Sequence, residues 1–283
     1  MFELKKHLAL FAIIVVFAGC QSNPITGRSQ FMVVSEESAI IQSASAYAAV
    51  LKPLSDEGKV NSDPAVVARI ETITSRLVAQ AIAYRPETEA WDWSVRVIDE
   101  PETVNAWCMA GGRMAIYTGL IDKLEATDDE IAQVMGHEIS HALLAHTAEK
   151  MSRAMAMQIG LITAAVAAPN STEGQLAVTG AAMAAVVALE LPNSRTAESE
   201  ADVVGIEIAA KAGYDPRAAE TLWAKMAEVG GSGDSRFDFL STHPAPVKRM
   251  ETLRELAPEM MPYYEDKSPR PTFPINVSEK STQ

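Results

Sequence analysis

The stretch Gly136-His137-Glu138-Ile139-Ser140-His141 carries the pattern H-E-x-x-H, and the rest of the sequence is best interpreted around it. On an α-helix, His137 and His141 lie one turn apart on the same face, so both imidazoles can reach one metal ion. Glu138 lies beside them, where its carboxylate can contact water at that metal. The alternative is a buried helix that carries two histidines by chance, and the other segments of the chain argue against it.

The composition is that of a folded protein with an acidic surface. The chain has 283 residues, of which 48% are hydrophobic, enough for a substantial core. Its formal net charge is -13 at pH 7. A surface this acidic argues against nucleic acid as a partner and against purely electrostatic attachment to anionic lipid.

The N-terminus predicts a secreted protein that carries a lipid. Two lysines precede the apolar run 8–18, which has the length and flanks of a signal peptide. The stretch Phe17-Ala18-Gly19-Cys20 resembles a bacterial lipobox, with phenylalanine where leucine is usual. This resemblance implies that residues 1–19 are removed and that lipid is attached to Cys20. The alternative is an ordinary secretory signal with an incidental cysteine.

The residue after the lipid site predicts which membrane holds the protein. Gln21 follows Cys20, whereas an aspartate there commonly retains enteric lipoproteins in the inner membrane. We therefore expect a protein anchored in the outer membrane and facing the periplasm. Once Cys20 is acylated, Cys108 is the one cysteine left, so no internal disulfide can form.

The remaining sequence predicts an α+β fold that is predominantly helical. Apolar periodicity and capping residues predict these helices: 35–51, 63–83, 120–124, a helix that opens at Thr127 and runs past Lys150, 194–212, 215–229 and 247–257. Alternating apolar residues predict three strands at 91–99, 104–109 and 113–117. We expect these strands to form a small, mostly antiparallel sheet.

Three further segments complete the predicted organisation. Residues 20–34 are expected to carry the lipid anchor and a tether, and residues 35–257 to form one domain. The apolar segments within 154–191 predict a helical hairpin over the site, the alternative being an element that enters the membrane or gates the cleft. Residues 258–283 contain five prolines and mixed charge, which predict an extended or disordered tail.

A third metal ligand has to come from another segment, because a catalytic zinc ion usually has three protein ligands and one open position. The motif that adds a histidine on the same helix is excluded, since Leu144 and Thr147 stand where it needs glycine and histidine. The best candidate stretch is 194–202, in which Glu198 and Asp202 are four residues apart and share a helix face. One acid can bind the metal while the other orients a ligand histidine, and the spacing leaves open which does which.

The sequences H-E-I-S-H at 137–141 and S-R-T-A-E-S-E-A-D at 194–202 together resemble the CAAX-prenyl-protease-type zinc metallopeptidases, the gluzincin family of the HtpX and BepA relatives. Three smaller pieces are also similar: N-P-I-T-G-R at 23–28, N-A-W at 105–107, and S-T-H-P at 241–244 followed by Arg249. The resemblance covers most of residues 20–257, so it implies a gluzincin metalloprotease core across the predicted domain.

The resemblance assigns the metal ligands. It implies one Zn²⁺ per chain, bound by His137, His141 and Glu198. It also places Asp202 in a supporting position beside a ligand histidine, with Arg249 as an associate of the site.

The resemblance also implies a mechanism and a way of holding substrate. Zinc activates water and polarises the scissile carbonyl, while Glu138 serves as general base and then as general acid. The run Asn105, Ala106 and Trp107 lies in the strand expected to form the sheet edge facing the cleft and to pair with an extended peptide. His243 is expected near the zinc, where it either stabilises the oxyanion or occupies the open position and holds the enzyme inactive.

Together these features predict a zinc metalloendopeptidase that cleaves misfolded or stalled proteins of the cell envelope. Its expected partners are unfolded protein substrates, the membrane through the lipid on Cys20, and the outer-membrane assembly machinery. The alternative is a chaperone or assembly factor for outer-membrane proteins that cleaves rarely. The intact motif argues against an inactive scaffold, because a scaffold has no need of Glu138.

Overall fold

The computed structural model describes residues 20–167, 191–230 and 247–278, together with Thr172, Thr179, Gly180, Phe239 and His243. The signal peptide predicted for residues 1–19 and most of the second half of the predicted hairpin lie outside these residues. The chain divides into two compact units. Unit 1 comprises Met1–Ala39 and Leu144–Ala197, and unit 2 comprises Ile40–Leu143 and Glu198–Gln283.

The secondary structure is mainly helical with two small sheets, which confirms the predicted α+β class. In chain order the elements are β1 (Cys20–Ser22), β2 (Ser29–Phe31), α1 (Glu36–Asp56), α2 (Pro64–Tyr84), a 3₁₀ turn (Pro86–Ala90), β3 (Ser94–Ile98), β4 (Ala106–Met109), β5 (Arg113–Tyr117), α3 (Thr118–Lys123), α4 (Asp128–Leu143), α5 (His146–Ala167), α6 (Leu191–Lys211), α7 (Ala218–Gly230) and α8 (Val247–Glu265). No helix in the described ranges is long and apolar enough to span a membrane.

The helix that carries the H-E-x-x-H motif, α4, begins at the predicted capping box. The Thr127 N–H donates to the Glu130 carboxylate at 2.9 Å, and the Glu130 N–H donates to Thr127 Oγ1 at 3.2 Å. These reciprocal bonds satisfy two donors that the first helical turn leaves open. Because α4 is buried on nearly every side, its motif is held in a fixed environment.

The prediction that this helix runs past Lys150 is wrong. The helix ends at Leu143, and α5 begins at His146. Between them Ala145 has a φ of 54°, a left-handed conformation that interrupts a right-handed helix. The Leu143 carbonyl accepts a hydrogen bond of 2.6 Å from the buried Arg85 guanidinium, which replaces the bond that a continuing helix would supply.

The three-stranded sheet of unit 2 has the strand order β3-β5-β4. β4 pairs antiparallel with β5, but β3 pairs parallel with β5, so the sheet is mixed rather than mostly antiparallel as predicted. Turn residues at Gly111 and Gly112 identify the β4–β5 hairpin, but no local signal states that β5 inserts beside β3. β4 is therefore left at an edge of the sheet.

The last helix is longer than predicted. α8 continues to Glu265, through Pro258 and Pro262, whereas the prediction ended it at Ala257. Ala257 and Met260 are buried, and α8 packs against α7. This packing holds the helix together although each proline removes one backbone donor.

The segment after α8 is extended and bonded to the sheet. Val95 N–H donates to the Asn276 carbonyl at 3.1 Å, and Asn276 N–H donates to the Trp93 carbonyl at 2.9 Å. Asn276 thus lies parallel to the start of β3. Of the predicted alternatives for the tail, residues 266–278 adopt the extended one.

Unit 1 holds its N-terminal β1–β2 hairpin by a buried polar network. Arg28 makes a two-point ion pair with the buried Glu149 on α5, with N–O distances of 2.8 and 2.7 Å. Gln30 Nε2 donates to the same carboxylate at 2.9 Å, and both Gln30 and Asn23 donate to the Leu144 carbonyl. The segment predicted as a tether is therefore folded onto the start of α5.

We expect Glu149→Gln to lower the free energy of unfolding by about 2 kcal/mol, because Arg28 loses its charged partner. Burial raises the pKa of Glu149, but the hydrogen bonds from Arg28 and Gln30 outweigh this effect and leave its pKa below the ordinary value. The stabilisation is therefore present above the unfolded-state pKa and is lost as the pH falls through the folded-state pKa.

Urea unfolding at neutral and acidic pH measures this difference, which should shrink in acid. The matched control is Asp56→Asn, which removes a well-exposed pair with Lys52 and should leave the midpoint unchanged. Equal midpoints for wild type and Glu149→Gln at neutral pH would contradict the prediction.

Candidate active site

Four side chains of unit 2 bring their potential metal-binding atoms within 4.8 Å of one another: His137, His141, Glu198 and His243. His137 Nε2 lies 3.1 Å from His141 Nε2 and 3.3 Å from a Glu198 oxygen. His141 Nε2 lies 3.5 Å from the other Glu198 oxygen. Two imidazole nitrogens and one carboxylate around a common point are the donor set typical of catalytic zinc.

The geometry distinguishes the two acids of α6. Glu198 faces the Nε2 atoms of both histidines, whereas Asp202 Oδ1 lies 3.1 Å from His137 Nδ1. Nδ1 and Nε2 point to different sides of the imidazole, so Glu198 lies among the potential metal-binding atoms, whereas Asp202 approaches the opposite side of His137. This geometry favours Glu198 as the metal ligand and Asp202 as the acid that orients His137.

Arg249 joins these two acids. Its guanidinium contacts Asp202 at 2.8 and 2.6 Å and lies 2.8 Å from Glu198. Burial raises the pKa of Asp202, but hydrogen bonds from Arg249 and His137 outweigh it and hold that pKa below the ordinary value. Burial lowers the pKa of His137, yet the neighbouring Asp202 and Glu198 carboxylates raise it to about 9, so protons and metal compete for this imidazole.

Glu138 lies next to the four metal-binding side chains, and its environment shows whether the site suits a catalytic metal. Its Oε1 atom is buried and accepts no hydrogen bond from any residue in the described part of the chain. A buried carboxylate oxygen that accepts no hydrogen bond requires an explanation, and water activated beside a catalytic metal supplies one. Burial also raises the pKa of Glu138, which makes it a stronger base. The residues present therefore fit a catalytic zinc ion.

His243 faces both the ligands and the base. Its Nδ1 atom lies 3.1 Å from each Glu198 oxygen and 3.5 Å from His137 Nε2. Its Nε2 atom lies 3.5 Å from Glu138 Oε1. The structure thus places His243 near the metal-binding group, as the sequence predicted, with Nδ1 directed at the ligands.

Two aromatic residues of the site were missed in the sequence. Trp223 on α7 packs edge-on against His137 with ring centroids 6.2 Å apart, and the Arg249 guanidinium lies 4.1 Å from its ring centre. Phe239 is buried and stacks on His243 at 4.6 Å. An aromatic residue in an apolar stretch predicts core packing, and only the tertiary fold shows that this core borders the metal-binding group.

The predicted substrate-binding run lies at the edge strand. Tyr117 N–H donates to the Asn105 carbonyl at 3.0 Å, and alternation along the ladder then turns the backbone groups of Ala106 and Cys108 away from β5. The Cys108 N–H lowers the pKa of Glu138 through a hydrogen bond, so the outer side of β4 faces the base. Trp107 packs edge-on against Tyr47 in the same unit.

The close crossing of α4 and α6 depends on two glycines. A Cβ atom on Gly205 would lie 2.8 Å from the His137 backbone nitrogen, and one on Gly136 would lie 2.9 Å from the Gly205 carbonyl oxygen. Either distance is too short for a carbon atom in van der Waals contact. The crossing brings the acids of α6 against the imidazole of His137.

Fold and site together define a zinc metallopeptidase. A family profile described as "Peptidase family M48" matches residues 64–257, so the chain belongs to this family, whose catalytic metal is zinc. The predicted zinc metallopeptidase family is thereby confirmed as peptidase family M48.

Named relatives support the assignment. The chain is 36% identical over 178 residues to the mitochondrial metalloendopeptidase OMA1 of Arabidopsis thaliana, covering 62% of this chain and 34% of the relative. It is 28% identical over 281 residues to OMA1 of Saccharomyces cerevisiae, covering 92% and 76%. It is 30% identical over 221 residues to a putative beta-barrel assembly-enhancing protease of Vibrio cholerae, covering 76% and 44%. The chain thus spans about a third of the plant relative and less than half of the bacterial one.

We expect Gly205→Ala to weaken zinc binding by tenfold or more, because its methyl group would force α6 away from His137. Overpacking should also lower the free energy of unfolding by about 1–3 kcal/mol. Zinc retention against a graded series of chelator concentrations measures the first effect. The control is Gly160→Ala on α5, where no atom lies within 4 Å of the added carbon. Unchanged zinc retention in Gly205→Ala would contradict the role of the crossing.

Proposed function

We propose that this protein is a zinc metalloendopeptidase that cleaves unfolded or misfolded proteins of the cell envelope. One observation carries the proposal: the buried Oε1 atom of Glu138 accepts no hydrogen bond from the described residues and lies beside both the metal-binding group and the outer edge of β4. A base with a free oxygen, three metal ligands and a strand edge are the parts that peptide hydrolysis requires.

Each site residue has a separate role in the proposed hydrolysis. His137, His141 and Glu198 would hold zinc, which when bound would supply the Lewis acid that activates water and polarises the scissile carbonyl. Glu138 accepts the proton of the attacking water on Oε1 and passes it to the leaving nitrogen. Asp202 fixes the orientation of His137 and keeps its Nε2 atom directed at the position where zinc would bind.

The outer edge of β4 is proposed to hold the substrate in an extended conformation. Backbone groups of Ala106 and Cys108 point away from β5, and no strand of the described chain pairs with this edge. A peptide added there would be held mainly by backbone hydrogen bonds, which select weakly for sequence. Such binding favours unfolded chains, because folded proteins rarely expose a free extended segment.

The proposed location is the periplasmic face of the outer membrane, through lipid on Cys20. The lipobox-like stretch 17–20, the glutamine at position 21 and the exposure of Cys20 support this location. The putative beta-barrel assembly-enhancing protease of Vibrio cholerae is similar to this chain, and its name supports the outer-membrane assembly machinery as a partner. The OMA1 relatives are named as mitochondrial, so the proposed location rests mainly on the N-terminal sequence of this chain.

We expect Glu138→Gln to retain zinc and to lose cleavage of an unfolded protein by about 10²–10⁴-fold, because the general base is removed while the ligands stay. Zinc content and cleavage of denatured casein, with and without chelator, measure both effects. The matched control is Glu228→Gln, an exposed acid on α7 that should leave cleavage unchanged. A wild type that never cleaves, with both forms still supporting outer-membrane protein assembly, would favour the chaperone alternative.

We expect His243→Ala to raise the cleavage rate several-fold, because Nδ1 of His243 lies among the ligand atoms and is proposed to occupy the open zinc position. The alternative role, oxyanion stabilisation, gives the opposite sign and a loss of about 10²-fold or more. Initial rates on the same substrate at saturating zinc distinguish the two. A loss of rate would overturn the assignment of His243 as a blocking ligand.

A further inference from the structure

We propose that the second half of α5 lies in the membrane interface, with Met155, Ile159 and Ile162 inserted among the lipids. These three residues, called the apolar stripe below, are 38%, 59% and 58% exposed. The inference rests on the proposed lipid attachment at Cys20, which belongs to the same unit of the fold. It assigns a second membrane contact to unit 1, made by protein side chains.

The composition of α5 changes abruptly along its length. The first two turns carry Glu149, Lys150 and Arg153, whereas residues 154–167 contain no charged side chain. A helix face exposed to water is normally polar, so an exposed, uncharged stretch with several large apolar side chains indicates a surface that contacts another apolar phase. The uncharged run continues in the sequence to Thr172, and an exposed apolar face of this kind is what a helix lying on the bilayer presents to lipid.

The stripe continues the face of α5 on which the segment just after the N-terminal hairpin packs. Val34 N–H donates to Ser152 Oγ at 2.9 Å, so Ser152 marks the face on which this segment packs. At 100° per residue, Ser152 and the three residues of the stripe fall within about 80° of one another around the helix. The stripe therefore begins where this segment packs and extends for about 15 Å beyond Ser152. Glu149, which binds the hairpin itself, lies about 60° from Ser152 on the side away from the stripe.

The lipid site is held to the first two turns of α5 by the folded hairpin. Cys20 is exposed and pairs with Phe31 in the β1–β2 ladder. The ion pair of Arg28 with Glu149 fixes the same hairpin to α5. Acyl chains on Cys20 would therefore bring this side of unit 1 directly to the bilayer surface, where an amphipathic helix buries its apolar face by about 5–10 Å.

The identity of the partner follows from these contacts. A second copy of the chain could also cover an apolar face, but it would not explain why the stripe begins where the segment that follows the lipid site packs on α5. The boundary between lipid headgroups and acyl chains accepts uncharged side chains and is the phase that the acylated Cys20 enters. The bilayer is therefore the partner that the stripe contacts.

Site-specific labels test the proposal in the full lipidated chain. The variants Ile159→Cys and Ile162→Cys place single reactive thiols in the stripe, since the proposed lipid would block the sulfur of Cys20 in the lipidated chain and Cys108 is buried. Ile41→Cys is the matched control, because Ile41 is 63% exposed on α1 in unit 2. Each variant carries a polarity-sensitive fluorophore and is reconstituted into vesicles of phosphatidylethanolamine and phosphatidylglycerol with or without spin-labelled lipid.

We expect labels at 159 and 162 to shift to the blue and to be quenched several-fold more strongly by spin-labelled lipid than the label at 41. Labels at 159 and 162 that behave like the one at 41 would overturn the proposal. Protection of the stripe from both lipid and aqueous quenchers, with energy transfer between copies, would overturn it in favour of a second copy.

Lipid attachment and protease activity, on which the proposed function rests, are measured separately in the same samples. The mass of the N-terminal peptide reports lipid on Cys20, and chelator-sensitive cleavage of denatured casein reports protease activity and correct folding. Lipid on Cys20 with a water-exposed stripe would overturn this inference alone. A lipid-quenched stripe without lipid on Cys20 would support the stripe and overturn the proposed anchor.

Discussion

The close crossing of α4 and α6 is the constraint on which the rest of the active site depends. Each helix presents a glycine at the crossing, Gly136 and Gly205, and a larger side chain at either position would push the backbones apart. Because the crossing falls at His137, it sets Glu198 beside one imidazole nitrogen and Asp202 beside the other. One backbone contact therefore decides which imidazole nitrogen of His137 each acid approaches.

Burying two acids beside this crossing requires compensation, since isolated carboxylates are poorly tolerated away from water. Arg249 provides it by contacting Asp202 and Glu198, and the face of Trp223 supports the guanidinium. Helices α7 and α8 thereby become part of the site, although neither supplies a metal ligand in the proposed set. The site is thus stabilised by the same packing that forms the core of unit 2.

The parts of this arrangement that depend on neighbouring residues could be predicted from the sequence. They include the capping box at Thr127, the two histidines of α4, and the acid pair of α6. Other features depend on distant contacts and could not be predicted. The end of α4 is fixed by Arg85, 58 residues away in sequence, and the parallel pairing of β3 with β5 has no local signal. The position of Trp223 at the site and the separate roles of the two acids also depend on distant contacts, so neither could be predicted.

Anomalous diffraction at the zinc absorption edge, from crystals of the full chain grown with zinc, tests the central claim most directly. The account predicts one zinc peak per chain in unit 2, with His137 Nε2, His141 Nε2 and a Glu198 carboxylate oxygen each within about 2.0–2.2 Å. Asp202 should hydrogen-bond to His137 without touching the metal. A zinc ion ligated by Asp202 in place of Glu198, or no peak between α4 and α6, would contradict the account.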